Sequence, residues 1–152
     1  MGFEFGLQGL LRVRESFERK EELKLAVAIG ELKRLKVLLA SIRGELASTG
    51  DRISNLLAGG TTGADLHLLC FEKMLLERRE QALAHIVSTA LKEVQQQQIR
   101  LKEARQKRMV LEDLREKQLA LFLLVEGRRD QQKLDDIFLM RRFAEDSGKG
   151  IA

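Results

Sequence analysis

From Leu25 onward, apolar residues recur at spacings of three and four without a break: Leu25, Ala28, Leu32, Leu35, Leu39, Ile42, Leu46, then Thr49, Ile53 and Leu56. A repeat averaging 3.5 residues keeps one stripe of a helix facing a partner helix, so it predicts a coiled-coil seam with one polar lapse at Thr49. The stripe begins at Leu7 and Leu11 and weakens over the charged stretch Arg14 to Glu22. A first helix is therefore expected from about residue 6 to about residue 57. Composition agrees: the 152 residues include no Pro, Trp or Tyr, and 33% are charged. Such a chain cannot fill a thick globular core, and its burial must come from a narrow seam between helices.

Gly59, Gly60, Thr61, Thr62 and Gly63 form the only cluster of breakers, so a turn is expected at about 58–63. Thr62 has the chemistry of an N-cap, with Asp65 in the following turn to complement the helix dipole. A second helix is expected over about 64–145. Its seam runs through Leu76, Leu83, Val87, Ala90, Val94, Gln97, Leu101, Ala104 and Leu111, with Glu80, Gln97 and Arg108 on seam positions. Gln95 to Gln98 reads as a polar layer facing the weak stretch of the first helix. Antiparallel pairing about residue 61 sets Leu46 near Leu76, Leu39 near Leu83, Leu32 near Ala90 and Leu7 near Arg115. The fold class is thus all-α, a long antiparallel two-helix coiled-coil hairpin with a C-terminal helical overhang.

The first helix runs out opposite about residue 118, leaving the helical sequence to about Phe143 without an intramolecular partner. That overhang is apolar in two blocks, Leu119 to Val125 and Leu134, Ile137, Phe138, Met140 and Phe143. Exposed apolar surface of this extent marks an interaction site. The last residues, SGKGIA, have the composition of a frayed end.

Other chemistries find little footing. His67, Cys70 and Asp65 lie close together, but a zinc site needs four ligands, or three and an open position, and no further His or Cys is near. The GGTTG turn lacks the lysine and the preceding strand of a phosphate loop. No nucleophile, base and orienting carboxylate can be assembled in a two-helix coil, so no catalytic residue, cofactor or metal is expected. The single cysteine excludes an internal disulfide and fits a reducing compartment. No run approaches a membrane span, and MGFEFGLQGLLRVR lacks the pattern of a secretory signal, so a cytoplasmic protein is the expectation. The net charge of +4 comes from interspersed signs, which reads as a solvated exterior rather than a nucleic-acid footprint.

Three stretches carry a resemblance. FEFGLQGLLRVRE opens the chain, LKEARQKRMVLEDLREKQLALFLLVE lies in its second half, and EGRRDQQKLDDIFLMRRF follows near the end. In order and spacing they resemble the FliJ family, the small coiled-coil component of the bacterial flagellar type III export apparatus. The resemblance implies a central stalk like the shaft of a rotary ATPase, whose terminal ends enter the pore of the hexameric export ATPase (FliI-like). It places Glu126, Arg128, Arg129, Asp130, Gln131, Lys133, Asp135 and Asp136 at the ring, with Arg12 and Arg14 alongside. It also implies that the tip half binds the cytoplasmic domain of the export gate (FlhA-like), through Leu38, Ile42, Phe71 and Leu75. Export chaperones are implied as further partners, and the cytoplasmic face of the inner membrane at the flagellar basal body as the location. Three other readings stay open on the sequence: an injectisome stalk, a self-associating structural coiled coil, and nucleic-acid binding through the basic excess.

Overall fold

The computed structural model describes residues 2–150. Helix α1 spans Gln8–Gly59 and helix α2 spans Gly63–Lys149, and the two long helices pack against each other as a hairpin with no strand among the described residues. The absence of proline lets both helices run uninterrupted. α1 stops where Gly60 adopts a φ of 78°, a left-handed conformation that suits glycine just beyond a helix end. Thr62 then caps α2. Its Oγ1 accepts the Asp65 backbone N–H at 3.4 Å and donates to Asp65 Oδ2 at 2.8 Å, while its carbonyl accepts the Leu66 N–H at 3.2 Å. One short motif thereby satisfies donors that the first turn would leave open. α2 continues to Lys149, through the first residues of the expected frayed tail; Ile151 and Ala152 lie outside the described residues.

The chain divides into two compact units, one of which is Ser16–Arg105. Leu32, Leu35 and Leu39 of α1 are buried in this unit, as are Leu69, Leu76, Val94, Leu101 and Ala104 of α2. Leu25, Ala28, Ile42, Leu46, Ile53 and Leu56 are half-buried, as are Leu83, Val87 and Ala90. These are the positions that the three-four spacing selects, so the periodicity is what chooses the packed face. Full burial of a leucine contributes about 1.5–3 kcal/mol, and a seam of them holds the pair without a broad core. The helices are antiparallel: Arg43 Nε donates to Glu80 Oε1 at 3.0 Å, and Arg52 Nη1 lies 3.9 Å from Glu72 Oε2. Arg43, Arg52 and Glu72 are exposed and Glu80 is half-buried, and such pairs set orientation more than stability.

Where the leucines lapse, polar residues take over the seam. Glu18, Glu21, Thr49 and Gln97 are all buried. Gln97 Nε2 donates to the Glu21 carboxylate and to its backbone carbonyl, the latter at 3.3 Å. Arg105 bridges Glu18 at 3.1 Å and Glu22 at 3.3 Å. The charged stretch of α1 and the glutamine run of α2 therefore face each other, with Gln97 the member that enters the seam. The hydrogen bond from Gln97 holds the Glu21 carboxyl below its ordinary range despite burial, with Lys24 at 3.3 Å assisting.

The other unit joins the residues before Ser16 to those from Gln106 onward. Leu11, only 1% exposed, packs with Phe5 and Leu111, and Phe3 lies against this cluster. The lead before α1 is a folded strap. The Gln8 N–H donates to the Phe5 carbonyl at 3.0 Å, and the turn runs directly into the helix through Leu11 N–H to Leu7 O at 2.9 Å. Phe3 reaches Phe122, with ring centroids 5.7 Å apart and planes inclined at 53°. Periodicity gives no sign of this strap, since Phe3 and Phe5 precede the helical repeat. The expected unpaired stretch began at about 118, but here Phe122 is half-covered by Phe3, and unbroken exposure begins only at Gly127.

Candidate partner-binding site

Residues 127–150 are exposed without exception, although α2 stays helical to Lys149. Leu134, Ile137, Phe138, Leu139, Met140 and Phe143 all present large apolar side chains to solvent. Leu134, Ile137 and Phe138 stand at helical i, i+3 and i+4 positions and so share one face. Preceding them is a charged segment. Arg129 Nη1 pairs with Glu126 Oε1 at 3.3 Å and Lys133 Nζ with Asp130 Oδ1 at 3.4 Å, both within one turn. Arg128, Gln131, Asp135 and Asp136 are exposed and face solvent. In this arm the helix supplies its own backbone hydrogen bonds, and apart from these two ion pairs its side chains stand in solvent.

The remaining residues implied at the ATPase are placed in the same unit. Arg12 is exposed on α1, Arg14 is half-buried, and Glu126 is half-buried where the covered part of α2 ends.

The residues implied at the export gate lie in the Ser16–Arg105 unit. Leu38, Phe71 and Leu75 are exposed, and Phe71 and Leu75 share a face of α2 one turn apart. Leu68 and Met74 add to the exposed apolar surface of that helix. Ile42 differs: it stands on the seam row between Leu39 and Leu46 and is half-buried, so part of its side chain already packs within the hairpin. Cys70 is exposed. Among the described residues no group of three or more His, Cys, Asp or Glu is placed to hold a metal ion, and no helix is long and apolar enough to cross a membrane.

Fold and exposure define the chain as a two-helix hairpin with a narrow seam and a bare helical arm. The family model described as Flagellar FliJ protein matches residues 3–147, nearly the whole chain. The protein belongs to the FliJ family and is a component of the flagellar type III export apparatus. No curated protein and no solved structure gives a significant match.

Proposed function

We propose that the whole chain works as one stalk that links the hexameric export ATPase to the export gate at the cytoplasmic face of the inner membrane. The observation that carries this reading is the bare arm. Residues 127–150 combine a charged segment and an apolar face on one exposed helix, and exposed apolar surface of this kind is stabilised by a partner. In the proposal Arg128, Arg129, Asp130, Gln131, Lys133, Asp135 and Asp136 line the contact with the ring, with Arg12, Arg14 and Glu126 at its base. Leu38, Phe71 and Leu75, with the exposed edge of Ile42, meet the gate. Export chaperones dock on the same protein, and the chain itself performs no bond-making step.

Binding to the purified hexameric ATPase of the same organism tests the reading. Truncation after Glu126 removes only residues that are exposed, and leaves the Phe3–Phe122 contact and the Leu11 cluster in place. Stoichiometric binding by the full chain and its loss on truncation is the expected result. Equal binding by the two forms would place the ATPase contact elsewhere and remove the basis of the proposal.

A further inference from the structure

A groove of about 550 Å³ opens on one side of the Ser16–Arg105 unit, where the seam is made by two small residues, Ala28 and Ala90. Beside it stand Leu23 and Val27, which are 68% and 74% exposed and one turn apart on α1. Nothing about the hairpin's own packing calls for aliphatic side chains at those positions. The charges around the groove are ordered. Lys24 and Arg100 lie toward one end, and Glu31 and Glu93 toward the other. In each helix the basic and acidic residues are seven positions apart, on one face and roughly 10 Å along the axis. Lys24 and Glu31 have ion-pair partners on their own helix in Glu21 and Arg34, and Arg100 adds to the positive charge around the Glu21 carboxylate.

We infer that this face is an interface for a second copy of the chain, related by a two-fold axis that passes close to Val27. Such an axis, lying across the two helices, reverses the direction of the hairpin and keeps each helix over its own counterpart. It sets the basic end of one groove over the acidic end of the other, bringing Arg100 of one copy to Glu93 of the second and Lys24 to Glu31. Leu23 and Val27 of the two copies pack together above Ala28 and Ala90. A partner of unrelated sequence would have to match this charge order independently; a second copy matches it by symmetry. The surface uses no residue of the arm, so this inference goes beyond the stalk reading and stands or falls separately from it.

Three measurements on the full chain test it. Sedimentation equilibrium of the unmodified protein should show reversible dimers at about 0.1 mM. Glu93→Arg or Arg100→Glu should each weaken association by about tenfold, because the axis repeats every altered contact. The two exchanges together in one chain should restore it, since both positions then carry the opposite sign and complement each other again across the axis. In a Cys70→Ser background, Val27→Cys should form an intermolecular disulfide on mild oxidation, and Ala26→Cys, one residue around the helix, should not. A monomer at that concentration overturns the inference. So does a dimer that is lost on truncation after Glu126, a double exchange that fails to restore association, or equal cross-linking at the two positions.

Discussion

Leu11→Ala is the sharpest test of how the hairpin is held where the strap meets the helices. Leu11 is 1% exposed and is packed by Phe5 and Leu111. Truncation removes three buried carbons at about 0.8 kcal/mol each, close to 2.5 kcal/mol before any term for the cavity. A thin seam lets neighbouring side chains and water fill the gap, so the cost should stay near that figure and below the upper range for thick cores. With no Trp or Tyr in the chain, the assay is helix content by circular dichroism at 222 nm across a urea titration. At a slope of about 2 kcal/mol per molar urea, the midpoint should fall by roughly 1 M. Leu10→Ala is the control, because Leu10 is adjacent but 43% exposed; its cost should stay below about 0.5 kcal/mol. Equal midpoints for the two variants would mean that the Leu11 cluster does not hold this part of the protein, and the packing argument would fail.

Three further outcomes are expected. The folded-state pKa of Glu21 is lowered from 4.5, first by its hydrogen bond from Gln97, so the stability it contributes is present above that value and is lost as pH falls through the folded pKa. Melting temperature should therefore drop more steeply between about pH 6 and pH 3 in the unmodified protein than in Glu21→Gln, and parallel curves would contradict this. At the turn, Thr62→Ala should cost about 1 kcal/mol by removing the cap, and Gly60→Ala a similar amount because its φ of 78° strains any residue with a Cβ, both read by thermal or urea unfolding. Phe3→Ala should loosen the strap, so that hydrogen exchange at the Gln8 amide, bonded to the Phe5 carbonyl, speeds up severalfold while exchange at Leu35 is unchanged; an unaltered Gln8 rate would show that the ring contact does not hold the strap.

The hairpin itself was readable because its cause is a one-dimensional repeat: Leu32, Leu35 and Leu39 are buried for the same reason that they are spaced by three and four. The turn was readable because glycine and a capping threonine act over a few residues. Burial of Glu18 and Glu21 was harder to see. Hydropathy marks them as surface residues, and only their three-four phase with Leu25, together with partners many residues away at Gln97 and Arg105, keeps them inside. The strap was not readable, since Phe3 and Phe5 have no period and their partners Leu111 and Phe122 lie about a hundred residues on. For the candidate site, the sequence located the exposed apolar arm by counting how far α1 could reach. The resemblance placed Ile42 with the gate residues although the three-four repeat had already set it on the seam, and in the structure it is half-buried.

The arm also has a thermodynamic standing that an isolated peptide of the same sequence would lack. A free helix of some twenty residues must first form an unfavourable nucleus, and in water it spends much of its time unwound. Here α2 is already nucleated at the Thr62 cap and along the seam, so the residues after Gly127 only extend a helix that exists. A partner that took this arm as a helix would meet a ligand already ordered, and little of the binding energy would be lost to ordering it. A synthetic peptide of the arm would then be a much poorer competitor than its side chains suggest, and covalent stapling into a helix would recover most of the difference.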